Sequence, residues 1–300
     1  MSDYDSPWKE ALDQFFPAFL AFFFPEVHAL VDWSQGYESL DKELQQVVRE
    51  AEVGKRLADK LFKVWLKDGQ EVWVLVHIEV QSQREEAFAE RMYIYHYRLY
   101  DRYRRPVISL AVLGDEDAGW WPDRFGYSVG GCEVGIRFPV VKLLDYGRDL
   151  AGLEANPNPF AAMVLAHLKT METRRDAEAR RLWKLRVIKG LYERGLDRQA
   201  ITELLRLIDW MMDLPKDLEE LFIDQAHPRR PPSSAATCYA ALPSEFIQIA
   251  TLRELPRRAV RQSTACRRPG NEQSRRTSLQ VPRTRSGHKR IRTCHRPSGT

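Results

Sequence analysis

Residues 59–81 read DKLFKVWLKDGQEVWVLVHIEVQ, and this stretch decides the fold. Two runs rich in Val, Leu, Trp and Phe flank the turn residues Asp68 and Gly69. Such runs around an Asp-Gly pair predict a β-hairpin. Because successive side chains of a strand point to opposite faces, the length of the turn decides which residues share a face.

The distribution of apolar residues selects the register of this hairpin. A three-residue loop at 67–69, with Gly69 in the left-handed conformation, pairs Leu66 with Gln70. A two-residue loop shifts the pairing by one residue and gives a mixed surface. We therefore predict the longer loop, which makes one face wholly apolar and composed of Phe62, Val64, Leu66, Val72, Val74, Val76, Ile78 and Val80.

The same register brings acidic and polar residues together at one end of the hairpin. Asp59 lies opposite His77 and diagonal to Glu79, with Gln81 further along that face. Mg²⁺ prefers oxygen ligands, and two carboxylates this close repel each other unless a cation lies between them. The pattern therefore predicts a metal site at Asp59 and Glu79, although solvated strand ends are the commoner explanation of acids in such positions.

Outside the hairpin, the periodicity predicts helices, then strands with one embedded helix, then more helices. The predicted elements are helices at 8–30, 39–52 and 85–105, a buried strand at 107–113, a loop-rich segment at 119–131, one or two strands within 134–144, and helices at 160–170, 173–193, 197–212 and 216–223.

The composition changes sharply near residue 226. Residues 226–300 carry 16 Lys and Arg against three Glu and no Asp, a net charge of +13, which leaves −9 for residues 1–225 within the overall +4. This segment lacks apolar periodicity and holds three of the four cysteines. Such a shift is typical either of translation in a wrong reading frame or of a disordered basic tail that contacts phosphates.

Other bulk properties exclude several protein classes. The longest early apolar run, 15–24, contains Pro17 and is too short to cross a bilayer. Acidic residues surround this run, which argues against a secretory signal. Only Cys132 lies in the well-patterned part, so neither a disulfide framework nor a Cys-x-x-Cys metal site is predicted. We expect a cytoplasmic protein.

Several of these segments together resemble a known family. Residues 58–60, the Asp-Gly hairpin, residues 77–83, and the following helix with Arg91 and Tyr95 are similar to the recombination-promoting nuclease and transposase family (YhgA-like), a branch of the PD-(D/E)XK nucleases. The similarity covers about residues 4–225. It implies an α/β restriction-endonuclease-like core with a mixed central sheet flanked by helices at 1–150, a helical extension at 151–225, and the basic tail at 226–300.

The resemblance also implies a mechanism. Asp59 and Glu79 would be catalytic residues and ligands of one or two Mg²⁺ ions in the hydrolysis of DNA phosphodiester bonds, with Gln81 orienting the attacking water. Gln81 stands where lysine is usual, and Arg91, which with Tyr95 would bind the substrate, could supply the missing positive charge.

The expected protein is therefore a Mg²⁺-dependent DNA endonuclease that acts in recombination or transposition. Its expected partner is DNA, and a homodimer is a possible assembly. The alternative is a catalytically inactive nuclease fold that binds nucleic acid or a protein. The charge of −9 in residues 1–225 favours this alternative, because DNA-cleaving domains usually present a basic surface.

Overall fold

A five-stranded mixed sheet with helices on both faces organises the chain. The computed structural model describes residues 5–50, 59–79 and 86–226. In chain order, its elements are α1 (Asp5–Phe23), α2 (Pro25–Leu30), a 3-10 helix (Trp33–Gln35), β1 (Glu38–Ser39), α3 (Asp41–Glu50), β2 (Asp59–Trp65), β3 (Glu71–Glu79), α4 (Phe88–Tyr103), β4 (Val107–Leu113), β5 (Arg124–Val129), β6 (Cys132–Arg137), β7 (Val140–Lys142), α5 (Leu143–Tyr146), α6 (Leu150–Ala155), α7 (Pro159–Glu172), α8 (Ala177–Glu193), α9 (Arg198–Met211) and α10 (Lys216–Ala226).

The main sheet has the strand order β1-β2-β3-β4-β7. Strands β1, β2 and β3 pair antiparallel, whereas β3, β4 and β7 pair parallel. Helix α4 makes the crossover between the parallel strands β3 and β4. These observations confirm the predicted α/β class with a mixed central sheet flanked by helices. The predicted basic tail, apart from Ala226, lies outside the described residues.

The hairpin register agrees with the one predicted from the apolar pattern. Asp59 pairs with His77 and Val64 with Val72, so β2 and β3 follow the three-residue loop. The Leu66 backbone N–H donates to the Gln70 carbonyl at 2.8 Å, and Gly69 has φ +86°. The prediction of the longer loop is therefore confirmed.

One face of the sheet forms the larger hydrophobic core. Valine and phenylalanine side chains of β2 and β3, with Leu110 and Val112 of β4, pack in a single cluster with α1, α7, α8 and α9. Every residue of α7 from 159 to 170 is buried. The helices after residue 150 therefore share a core with the sheet, while the predicted domain division at residue 150 stays a prediction.

The opposite face of the sheet is covered by α3 and α4. Leu61 and Leu75 of the hairpin pack against Leu44 of α3 and against Tyr95 and Leu99 of α4. A second cluster, toward the start of α4, joins Phe88 and Met92 to Ala111, Leu113, Trp120 and Phe138. None of the helices in the described part of the chain is long and apolar enough to span a membrane.

Two sequence predictions of local structure are wrong. The segment predicted to be loop-rich contains β5, which pairs with β6 across the two-residue turn Gly130-Gly131. Both glycines have positive φ, as a tight hairpin turn requires. The single helix predicted at 8–30 is divided at Phe24, which has φ −137° and ψ 62°, because a residue before proline is driven out of the helical conformation.

The conformation of Gly69 gives a testable expectation. Gly69→Ala should lower the free energy of unfolding by about 1 to 2 kcal/mol, because alanine is strained at positive φ. Gly190→Ala is the matched control, since Gly190 lies in α8 with open space around it and alanine should stabilise that helix by about 0.5 to 1 kcal/mol. Urea unfolding of both variants measures the difference, and equal stability of Gly69→Ala and wild type would contradict the turn described here.

Candidate functional site

The strand positions of three charged residues, Asp59 of β2, Glu79 of β3 and Lys142 of β7, lie at one edge of the main sheet. The parallel strands β3, β4 and β7 end at this edge, and the antiparallel strand β2 begins there. Across the sheet, Glu79 of β3 pairs with Leu113 of β4, and Leu113 pairs with Lys142 of β7. By strand alternation these positions share a face with Asp59 and His77. Ligands of open α/β sheets bind outside the carboxyl ends of parallel strands, which makes this edge the candidate site.

Of the three predicted catalytic residues, the structure describes the strand positions of Asp59 and Glu79 but not that of Gln81. Asp59 is the first residue of β2 and Glu79 the last residue of β3, and the register puts them on one face, one strand apart. Gln81 lies outside the described residues. Among the described side chains, no group of three or more His, Cys, Asp or Glu is arranged to hold a metal ion. The metal role of Asp59 and Glu79 stays a prediction.

Helix α4 carries Arg91 over this edge. The helix runs back across the sheet, with Met92 in a cluster with Ala111 and Leu113 at the carboxyl end of β4. Arg91 is the residue before Met92, on the helix that covers the face to which the register assigns Glu79. Its side chain is only 2% exposed, and its guanidinium carbon lies 5.5 Å from the centre of the Phe88 ring. A buried guanidinium is costly unless acceptors or anions surround it, so its position favours a link to the acidic edge.

Tyr95 lies one turn further along α4 and is fully buried. It packs in the cluster that contains Leu61 and Leu75 of the hairpin. Its ring is therefore part of the core beneath the site, and contact with a substrate stays a prediction. By contrast, Tyr97 on the outer side of the same helix is exposed and stacks on Tyr93 at 6.4 Å.

A partly buried ion cluster holds the beginning of β2, next to Asp59. The Lys60 Nζ lies 2.7 Å from Asp13 Oδ1 of α1 and 2.6 Å from Asp41 Oδ2 of α3. Burial acts to lower the pKa of Lys60, but its hydrogen bonds and charge interactions with both aspartates outweigh burial and raise that pKa. Burial raises the pKa of Asp13 despite the hydrogen bond from Lys60. The short contacts identify an ion pair that joins two helices to the strand.

Sequence reasoning missed Asp115 and Lys142. Lys142, at the end of β7, donates to Asp115 Oδ1 at 3.0 Å, to the Trp120 carbonyl at 2.8 Å and to the Asp117 carbonyl. Both charged side chains are almost completely buried. The sequence does contain an indication of this position, because Gly114 and Asp115 directly follow the apolar strand β4. Since β4 pairs parallel with β3, it ends at the same edge of the sheet.

His167 of α7 fixes the same point from the opposite side of the sheet. Its Nε2 lies 3.2 Å from the carbonyl oxygen of Gly114, the residue between β4 and Asp115. Burial lowers the pKa of His167 to about 4, so the imidazole is neutral at pH 7. Because a carbonyl can only accept, Nε2 carries the proton and donates it. The end of β4 is thus held by His167 on one side and by Lys142 on the other.

Comparison with known protein families adds an independent observation. Residues 9–107 match the family described as "Putative transposase, YhgA-like". This part of the chain is similar to that family, and residues 9–107 are called the YhgA-like segment below. The match confirms the resemblance found in the sequence, over a segment that runs from α1 to the first residue of β4. Comparisons with curated proteins and with solved structures gave no match.

The YhgA-like segment contains every site residue predicted from the sequence: Asp59, Glu79, Gln81, Arg91 and Tyr95. Asp115, Lys142 and His167 lie beyond it, although the fold brings the end of β4 next to β3. The candidate edge is therefore built partly from the YhgA-like segment and partly from the chain that follows it.

The low pKa of His167 predicts a pH-dependent loss of stability. Between about pH 6.5 and pH 4 the unfolded chain binds a proton at this histidine that the folded chain does not, so stability falls as the pH is lowered through this window. The expected loss is about 3 kcal/mol, and no further loss from this group occurs below pH 4. Urea unfolding at pH 7 and at pH 4.5 measures it.

Substitution separates His167 from the carboxylates that also titrate in this range. His167→Gln keeps a donor for the Gly114 carbonyl but cannot take up a proton, so it should lose less stability on acidification than wild type. His28→Gln makes the same chemical change on α2 and should behave as wild type does. An identical pH dependence of His167→Gln and wild type would show that His167 does not cause the loss.

Proposed function

We propose that this chain is a Mg²⁺-dependent DNA endonuclease with a PD-(D/E)XK core, acting in recombination or transposition. The observation that carries this proposal is the strand register, in which the first residue of β2, Asp59, and the last residue of β3, Glu79, share one face at the carboxyl edge of the sheet. The YhgA-like match supports it, because a transposase is an enzyme that processes DNA.

The donor set suits Mg²⁺. This ion is commonly held by one or two carboxylates, with water and substrate phosphate in the other positions, and Asp59 and Glu79 offer two carboxylates. When bound, Mg²⁺ supplies charge stabilisation to the phosphodiester and lowers the pKa of the attacking water. The side chain of Gln81 can orient a water by accepting a hydrogen bond from it, but it adds no charge.

Arg91 supplies a fixed positive charge beside this site. Its guanidinium is permanently protonated, and its burial on α4 keeps it from bulk solvent, where its charge would be screened. Its geometry suits orientation of the carboxylates and stabilisation of the additional negative charge that develops on a phosphate during hydrolysis. A role of this kind compensates in part for the absence of lysine at position 81.

Cleavage of supercoiled plasmid by the full chain tests the proposal. We expect nicked or linear products with Mg²⁺, none with EDTA, and none from Asp59→Asn. Asp68→Asn is the matched control, because Asp68 lies in the hairpin turn at the far end of β2 and asparagine can keep its bond to the Gln70 N–H. Cleavage that survives in Asp59→Asn would contradict the assignment.

The negative charge of residues 1–225 supports a second candidate, an inactive nuclease fold that binds nucleic acid or a protein partner. The same preparation distinguishes the two. Retention of DNA in a gel-shift assay without any Mg²⁺-dependent cleavage would favour the binding protein. The predicted homodimer stays a prediction under both functions.

A further inference from the structure

We propose that a row of aromatic side chains on the outer face of α4 and on β5 binds the unpaired bases of single-stranded DNA. The aromatic row consists of Tyr97 and Tyr93 of α4 and Phe125 and Tyr127 of β5. Tyr97 and Tyr127, at its two ends, are each 53% exposed. This inference rests on the proposed function and names the form of DNA on which the protein acts.

The outer face of α4 is aromatic, although a helix that covers a sheet normally presents charged and polar residues to water. Tyr93, Tyr97 and Tyr100 recur at the spacing of a single helical face. The inner face of the same helix is filled by Tyr95 and Leu99, which pack against the sheet. Packing against the sheet therefore does not explain the outer tyrosines, and contiguous exposed apolar groups are typical of binding surfaces.

The four rings of the aromatic row form a continuous surface. Tyr93 stacks on Tyr97, with the ring centres 6.4 Å apart and an angle of 15° between the ring planes. The Tyr93 ring also lies 5.3 Å from that of Phe125, which lies 6.5 Å from that of Tyr127. Phe125 and Tyr127 are alternate residues of β5 and so share one face of the hairpin. A helix and a hairpin that are separate in sequence therefore build one surface.

The charge around the aromatic row suits the phosphates of a nucleic acid. Residues 88–105 contain five arginines and two acids, a net charge of +3, whereas residues 1–225 as a whole carry −9. Four of these arginines are at least partly exposed. The Arg104 guanidinium carbon lies 5.9 Å from the centre of the Tyr100 ring, and its Nη2 lies 2.9 Å from Asp101 Oδ1 on the same face. Exposed aromatic rings beside arginines are the combination that binds single strands, because rings stack on bases while guanidinium groups contact phosphates.

The bases must be unpaired to use this surface. In a duplex, neighbouring base pairs cover the faces of each base, and the grooves display only the base edges. Aromatic rings recognise the faces, which every base has, so we expect binding that prefers single strands and depends little on sequence.

The aromatic row begins close to the candidate edge. Tyr93 directly follows Met92, which packs in one cluster with Leu113, the last residue of β4. The β5-β6 hairpin is anchored in the same cluster, because Ile136 of β6 and Phe138 also pack there. A single strand that lies along the row is therefore led toward the edge to which cleavage is assigned.

Fluorescence anisotropy with labelled oligothymidine tests the inference on the full chain in EDTA, where binding is measured without cleavage. We expect wild type to bind this strand at least about tenfold more tightly than an abasic strand or a duplex of equal length, since each stacked base contributes about that much. The abasic strand has the same phosphates, so it controls for charge alone, including that of the basic residues 226–300.

Substitutions at the two exposed ends of the aromatic row test its residues directly. The double variant Tyr97→Ala, Tyr127→Ala should bind oligothymidine at least about tenfold more weakly than wild type. The double variant Tyr97→Phe, Tyr127→Phe keeps both rings and should bind as wild type does. Leu182→Ala is the matched control, because it removes an equally exposed apolar side chain from α8. Thermal unfolding of each variant checks that it folds.

Three results would overturn the inference. Equal affinity of wild type and the double alanine variant for oligothymidine would exclude the aromatic row, and the proposed function would stand if Mg²⁺-dependent cleavage were still lost in Asp59→Asn. A wild-type dimer that becomes monomeric in the double alanine variant, with unchanged DNA affinity, would assign the surface to a second copy of the chain; sedimentation velocity measures this. Absence of both DNA binding and cleavage in wild type would overturn the inference and the proposed function together.

Discussion

Magnesium-dependent DNA cleavage is expected to fall about 100-fold or more in Glu79→Gln, because loss of a direct metal ligand should cost at least as much as the 10- to 100-fold loss typical of the groups behind such ligands. Glutamine keeps the size of the side chain but removes its charge. In the proposed site Glu79 is one of the two carboxylates assigned to the metal, so its loss leaves Asp59 alone to hold the ion. The free energy of unfolding should change little, since a carboxylate that lacks its metal repels its acidic neighbours.

Glu71→Gln provides a closely matched control for this prediction. Glu71 is the first residue of β3 and shares a face with Glu79, but it lies at the other end of the strand. It accepts from Trp73 Nε1 at 3.1 Å and pairs with Arg105 at 3.3 Å. We expect its cleavage rate to stay within a factor of two. Initial rates at saturating Mg²⁺ compare the variants, and equal losses in both would mean that strand stability, rather than the metal site, controls activity.

Replacement of Lys184 by methionine is expected to lower the free energy of unfolding by about 3 to 5 kcal/mol, the range typical of removing one partner from a buried ion pair. Lys184 of α8 is fully buried, and its Nζ lies 2.7 Å from Asp209 Oδ1 of α9 and 3.3 Å from Glu219 Oε2 of α10. The ammonium also lies 4.7 Å from the centre of the Phe222 ring. Methionine fills the space of the lysine stem but leaves both carboxylates without this cation.

Two further variants test that explanation. Lys216→Met removes an exposed lysine at the start of α10 and should change the stability by less than about 0.5 kcal/mol, as surface substitutions usually do. The triple variant Lys184→Met, Asp209→Asn, Glu219→Gln should recover most of the loss, because the two side chains that contacted the lysine are then neutral. Urea unfolding measures all three. Wild-type stability in Lys184→Met would show that this ion cluster does not hold α10 in place.

Local patterns made the hairpin predictable from the sequence. The turn residues Asp68 and Gly69 and the uniform row of valines in β3 fix both the loop length and the register, and neither depends on distant parts of the chain. Strand β5 lacks such a signal, because Gly126 interrupts its apolar alternation and most of its residues are exposed. Its pairing with β6 depends on the tight turn at Gly130-Gly131. Two adjacent glycines are equally typical of an irregular loop, so the composition alone does not indicate the hairpin.

The candidate site was only partly predictable for the same physical reason. Asp59 and Glu79 come together through the hairpin alone, so the sequence suffices to place them on one face. Asp115 reaches the same edge only because β4 pairs parallel to β3 after the α4 crossover. The contact of Lys60 with Asp13 spans 47 residues of chain, and no periodicity within either segment indicates it.

The burial of α7 from 159 to 170 determines which shortened versions of this protein are worth making. Its side chains from 159 to 170 fill the space between the sheet and the later helices. A fragment limited to the YhgA-like match would leave the valines of β3 facing water, and such a fragment is expected to aggregate during expression. Inactivity of that fragment would reflect its disrupted core and would not show that the protein lacks catalytic activity. Expression trials should therefore keep every residue through the end of α10.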